Sequence, residues 1–202
     1  MRKHLAVAAA AVALAAPALA ESTVWKFDPS HSHASFTVRH LVVSNVRGEF
    51  RKVEGTLYLD EKDVTKSRVE ATLDAASIDT RVQDRDNHLR SPDFFDAAKY
   101  PTITFKSTKV EKAGDGKLKV TGDLTMHGVT KPVVLDVEGP TAAIKDPMGN
   151  ARRGIAATAK LNRREFGLNW SKAVEAGPVV GDEVKIEIEA EVVKQGGQQA
   201  AK

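Results

Sequence analysis

The chain has 202 residues, with 30 Lys or Arg against 27 Asp or Glu, and no cysteine. A domain of this length can bury a sizeable core without disulfides, and the missing thiol excludes cysteine-based catalysis. Acidic and basic residues are interleaved and no Lys/Arg cluster carries interleaved aromatics, which argues against a nucleic-acid partner.

Residues 1–20 read as a secretory signal. Arg2, Lys3 and His4 form a basic start, Leu5 to Ala16 an apolar run, and Ala18-Leu19-Ala20 a small-residue cleavage site that makes Glu21 the expected new N-terminus. The run is shorter than the roughly 20 residues needed to span a bilayer, and no later segment approaches that length, so the protein is not expected to be membrane-spanning. Removing Arg2 and Lys3 brings the basic residues to within one of the acidic ones.

Downstream, the punctuation is that of a β protein. A first strand, Val24 to Asp28, ends at Asp28-Pro29-Ser30, and Ala34 to His40 forms a second. Val46 to Asp60 is expected as one long strand or a bent pair, bending around Gly48 and Gly55. Lys66 to Ile78 follows. Alternation then fails, and Val82, Leu89, Phe94 and Phe95 among many charges predict one helical excursion around residues 82–98, limited by Pro92 and Pro101.

Thr102 to Val110 and Lys117 to Met126 make a hairpin across Gly114-Asp115-Gly116, and Lys131 to Gly139 follows the turn at His127-Gly128. Ile155 to Arg163 and Glu183 to Lys194 complete about eight strands. In the last, Val184, Ile186, Ile188, Ala190 and Val192 share one face and five charged residues the other. The Gln/Gly/Ala tail, residues 195–202, is expected to be disordered. The expected fold is therefore all-β: one domain over 21–194, an eight-stranded antiparallel barrel with a helix over one end.

Eight strands leave an interior that side chains either fill or share with one ligand. The inward candidates mix small residues, Ala71, Ala75, Gly122, Ala157, Ala159 and Ala190, with larger Leu73, Ile103, Phe105, Leu124, Leu135 and Ile186. Such a mixture fits an open tunnel, and it equally fits a tapering barrel packed solid.

Several stretches carry a resemblance. Residues 25–40 (WKFDPSHSHASFTVRH) with Val46 to Phe50, residues 76–80 (ASIDT), 85–96 (RDNHLRSPDFFD), 100–105 (YPTITF), 122–133 (GDLTMHGVTKPV) and 162–168 (NRREFGL) together resemble the YceI-like polyisoprenoid-binding family. The resemblance implies a lipocalin-like barrel in the periplasm that binds, stores or transports a long isoprenoid lipid, of the polyprenyl-phosphate or quinone kind, without catalytic cofactor and without enzymatic activity. Phe36, Val38, Ala71, Leu73, Ala75, Leu89, Phe94, Phe95, Ile103, Phe105, Leu124, Leu135, Ala157, Ala159 and Ile186 are the candidates for contact with the lipid tail. His33, Arg39, Arg85, Asn87, His88 and Arg163 are the candidates for its head group, as donors to phosphate or quinone oxygens. Membrane proteins of the envelope are conceivable partners, and the sequence leaves a dimer open.

The rival reading is a metal-dependent or stress-related enzyme built on His31, His33, His40 and His88, with Asp84 and Asp86 near the last. Against it, Asp28 to Ser32 reads as a turn whose polar side chains cap free backbone groups. No Gly-x-Ser-x-Gly setting, Gly-rich phosphate loop or dinucleotide fingerprint is present.

Overall fold

The computed structural model describes residues 22–174 and 177–196. The expected signal (1–20) and most of the C-terminal tail lie outside the described residues. In chain order the elements are β1 (Thr23–His40), β2 (Ser44–Phe50), β3 (Val53–Leu59), β4 (Arg68–Asp74), β5 (Ile78–Asp79), α1 (Gln83–Arg90), β6 (Thr102–Lys112) and β7 (Lys117–Met126). Then come β8 (Val129–Glu138), β9 (Ile144–Lys145), β10 (Ala151–Asn162), β11 (Ala173–Val174), β12 (Gly177–Pro178) and β13 (Val180–Lys194).

Eight strands form a closed antiparallel barrel in the order β1-β3-β4-β6-β7-β8-β10-β13, and β13 pairs back onto β1. The expected strand alternation is visible in burial: along β13, Val184, Ile186 and Ile188 face in while Glu183, Lys185, Glu187 and Glu189 are exposed. The expected excursion contains α1 and the turns around Phe94 and Phe95, and it covers one end of the barrel, here called the helix end.

Two expected breaks are resolved differently. The stretch 24–40 is one strand, because Asp28 to His31 bulge out between the pairs Phe27–Val192 and Ser32–Ala190 without ending the ladder. Within the bulge the Ser30 amide donates to Asp28 Oδ1 at 2.9 Å. The stretch 44–59 is a bent pair, but it breaks at Arg51–Lys52 rather than at a glycine. This break lets β1 pair with β3 near its start and with β2 near its end.

Gly48 and Gly122 instead admit aromatic rings. A Cβ on Gly48 would stand 2.5 Å from Phe36 Cζ, and one on Gly122 would stand 2.4 Å from Phe105 Cζ and 2.6 Å from the Lys106 carbonyl oxygen. Both rings therefore lie flat on the inner wall, where a bulkier neighbour would lift them towards the barrel axis.

The core is divided between the ends and the middle. At the helix end Phe50, Ile78, Phe94, Ile103, Met126 and Phe166 pack together beneath α1. At the opposite end Trp25, Leu57, Leu59 and Val192 form a second cluster, with the Arg153 guanidinium 5.0 Å from the Trp25 ring centre. Gly122→Ala should destabilise the fold by about 1–3 kcal/mol, because the Lys106 backbone cannot yield as a side chain would. Urea unfolding followed by circular dichroism reads the loss; an unchanged midpoint would contradict this account of the wall.

Candidate functional site: an apolar lumen

The middle of the barrel is not filled. A cavity of about 260 Å³ lies inside it, just below the roughly 300–1,000 Å³ found for small-molecule sites. Its wall is aliphatic and aromatic, supplied by alternate residues of every barrel strand. Burial agrees: Ala159, Val184 and Ile186 point inward yet stay only partly buried, as do Phe36, Leu124 and Leu135, which pack against buried clusters on one side and border the cavity on the other.

Fourteen of the fifteen tail candidates are on this wall: Phe36, Val38, Ala71, Leu73, Leu89, Phe94, Phe95, Ile103, Phe105, Leu124, Leu135, Ala157, Ala159 and Ile186. Ala75 is the exception. It sits past the end of β4 in a short 3-10 turn, 1% exposed, and packs into the cluster under α1. Among wall residues the sequence reading left out are Phe27, Val53, Leu57, Val69, Val120 and Ile188. The same two-residue alternation that marked their neighbours would have found them.

The six head-group candidates do not converge on one mouth. His33 is exposed on the outer wall opposite Glu189. Arg39 lies at the tip of the β1–β2 hairpin, where its Nη2 donates to the Val42 carbonyl at 2.7 Å. Arg85 donates to the Thr80 hydroxyl and carbonyl at 2.7 and 2.9 Å, beside the buried Asp86 carboxylate that accepts from the Thr80 amide at 2.8 Å. Asn87 is exposed and accepts from Gln83 at 2.9 Å. His88 Nε2 is 2.9 Å from Asp93, and its ring meets Phe94 and Trp170 edge-on.

Arg163 does border the lumen, at 4% exposure, but its five N–H groups are already engaged. Nε donates to the Gly181 carbonyl at 2.9 Å, and Nη1 donates to the carbonyls of Leu168 and Trp170, the latter at 2.8 Å. Nη2 reaches the Val180 carbonyl at 3.3 Å and Asp182 at 3.2 Å. Burial lowers its pKa and Asp182 opposes the shift. Arg163 thus ties the segment 167–182 across the helix end and has no donor left over for a ligand.

The four histidines of the rival reading are not gathered either. Among the described residues the grouping with metal-ligand spacing is Asp28, His31 and Glu191, whose ligand atoms lie within 4.8 Å of one another. That position already holds a cation. Arg152 Nη1 is 2.5 Å from Asp28 and 3.1 Å from Glu191, while its Nε is 2.8 Å from Asp146. The guanidinium holds the Asp28 carboxyl well below the usual carboxylate range, with help from His31, and pushes Asp146 down to about 2. Its own pKa is raised in return. Arg152 lies 124 residues from Asp28, so no local motif could announce the network.

A YceI-like domain model matches residues 25–192. The chain belongs to the YceI-like family. Among its relatives, a UPF0312 protein of Vibrio parahaemolyticus is 39% identical over 194 residues, covering 95% of this chain and 97% of that protein. Protein YceI of Escherichia coli O157:H7 is 40% identical over 173 residues, covering 85% and 87%. The crystal structure of the Campylobacter jejuni YceI protein matches with a TM-score of 0.67 and 33% identity over 78% of this chain and 90% of that one. Two more distant structures share the fold: Burkholderia cenocepacia BcnA, at TM-score 0.71 and 24% identity over 82% and 98%, and a polyisoprenoid-binding domain of Saccharophagus degradans, at 0.62 and 14% over 86% and 99%. No helix among the described residues is long and apolar enough to cross a membrane.

For this YceI-like barrel the Arg152 network sets an acid limit. Carboxylates with lowered folded pKa values stabilise above their unfolded pKa, near 4, and that contribution is lost as pH falls through their folded values. Stability should therefore decline from about pH 4 towards pH 2 and below, and the decline should be shallower in Asp146→Asn. Denaturant midpoints measured across that range check this; identical slopes in parent and variant would contradict it.

Proposed function

We propose that the lumen holds the chain of a long isoprenoid lipid, a polyprenyl phosphate or an isoprenoid quinone, and that the protein stores or carries it in the periplasm after cleavage of residues 1–20. The observation that carries this reading is the void itself: a closed barrel whose apolar inner wall encloses a cavity. Family membership supports it, as does the polyisoprenoid-binding domain of Saccharophagus degradans on the same fold.

Energetics fit a flexible hydrocarbon better than a compact polar substrate. Relative to water, each buried CH₂ contributes about 0.8 kcal/mol, and a branched chain can follow a wall of alternating alanine, leucine and phenylalanine. Relative to a bilayer that gain nearly cancels. Preference for the protein over a membrane then rests on the shape of the lumen and on polar contacts at its rim, a role consistent with carriage or buffering rather than unaided extraction.

Catalysis has no comparable support. The lumen wall brings together no pair of acid and base, and Arg163, the charged residue at its helix end, is spent on the backbone. Envelope proteins that deliver or receive the lipid would be the natural partners of such a carrier.

Organic extraction of purified protein followed by mass spectrometry should yield an isoprenoid in near-stoichiometric amount. Ala159→Phe places a ring in the lumen at a cost of about 1–3 kcal/mol of stability and should lower the co-purifying lipid about tenfold while the barrel still melts cooperatively. Undiminished lipid in a folded Ala159→Phe would contradict placement of the chain in the lumen. An empty parent protein carrying stoichiometric zinc or iron would overturn the proposal.

A further inference from the structure

The turn joining β1 to β2 is built from the wrong residues for a hairpin. Tight turns with positive φ favour Asn and Gly, yet Leu41 and Val42 stand at φ of 50° and 60°. A β-branched residue is disfavoured in that region, and a polar tip would also dissolve better. Instead Val42 is 52% exposed and Val43 76%.

A third apolar residue lies alongside. Val174, 46% exposed, belongs to the β11–β12 hairpin, and the two hairpins touch: a Cβ on Gly177 would be 3.5 Å from Val42 Cγ2, and the Leu41 amide donates to the Val179 carbonyl at 2.9 Å. Residues that line the interior flank this apolar surface in the chain. Val38 precedes the tip and Val180 follows the second hairpin, and both line the lumen.

Charge near the tip is mainly positive, and the nearby Asp182 carboxylate is taken up by Arg163 and Arg164. Residues 39–47 contain Arg39 and Arg47 and no acid, and the second hairpin is preceded by Lys172; the sequence of both segments offers one acid in return, Glu175. Arg39, Arg47 and Lys172 are all exposed. The Arg39 guanidinium is held against the tip by its bonds to the Val42 carbonyl and to Asn45 Oδ1, so a positive charge is fixed beside the exposed valines.

Ile144 and Met148, 66% and 79% exposed, form a comparable apolar pair at the opposite end. There, however, neither residue borders the lumen. Exposed valines with a fixed guanidinium beside them and further cations in the flanking chain, next to residues that line an oily channel, match the headgroup boundary of an anionic bilayer.

We propose that the Leu41–Val43 tip, with Val174 beside it, is a membrane-docking surface that seats the helix end of the barrel on an anionic bilayer. The valines enter the boundary between headgroups and acyl chains, the arginines stay among the phosphates, and the Val38–Val180 side of the lumen is brought against the lipid layer. That this contact loads or unloads the lumen rests on the isoprenoid reading above; the contact itself does not.

The test uses protein beginning at Glu21, which contains the whole barrel and omits the apolar run of residues 1–20. It is sedimented with vesicles of phosphatidylcholine containing phosphatidylglycerol and with vesicles of phosphatidylcholine alone. The parent should bind the anionic vesicles, and less so as salt is raised. The double variant Val42→Ser, Val43→Ser should bind at least about fivefold more weakly, whereas Ile144→Ser, Met148→Ser should bind as the parent does. Both pairs are exposed, and thermal melts verify that both variants fold.

No binding by the parent, undiminished binding by the Val42/Val43 variant, or equal loss in both variants would overturn the proposal. So would a parent that ignores vesicles but dimerises through the tip. Ala159→Phe separates the two readings: it should empty the lumen and leave vesicle binding intact. Vesicle binding without any extractable isoprenoid would sink the lipid assignment alone.

Discussion

The pairing of β1 with β13 is the constraint on which the rest depends. The two longest strands of the chain, near its start and its end, meet in antiparallel register from Trp25–Lys194 to His40–Val180 and close the sheet. Closure satisfies the backbone of both would-be edge strands, so the wall holds without a packed centre to support it. An open sheet with the same inner face would have to bury that face by collapse. The closed one can leave part of it facing a void, with packing in clusters at the two ends and along β6, β7, β8 and β10.

Closure also explains how polar groups are used. Arginines at both ends act as ties between distant segments. Arg163 joins the 3-10 turn after β10 to the start of β13, and Arg152 joins β10 to the β1 bulge, to β13 and to the 146–150 turn. Each is mostly buried and accepted by several oxygens, the arrangement in which a guanidinium stabilises rather than penalises the fold. The lumen is left without a charge available to a ligand except at its rim, which suits a site that selects by shape and apolarity.

Much of this was legible in the sequence, and the limits were physical. Two-residue alternation located the strands and placed the eleven strand-borne tail candidates on the wall, because inward direction is a local property of an extended chain; Leu89, Phe94 and Phe95 reach the same wall from the helical excursion. Ala75 failed because the strand ends at Asp74 and the backbone turns there. Head-group candidates fared differently: Arg85, Arg39 and Arg163 each donate to backbone carbonyls as well as to a side chain, and sequence carries no mark of which carbonyls are left unbonded. The breadth of the Asp28–His31 bulge was likewise hidden, since Pro29 reads as a strand end whether the chain turns away or merely buckles. Whether the barrel was hollow could not be read from alanine content; it needed the partial burial of inward Leu135, Ile186 and their neighbours.

The central claim is that the apolar void between those side chains holds a chain-like molecule. A high-resolution crystal structure of protein purified without detergent tests it most directly. Unbroken, elongated electron density along the barrel axis, flanked by Leu135, Ala159 and Ile186, is the predicted result. Inner side chains closed upon one another, with no channel between them, would contradict it.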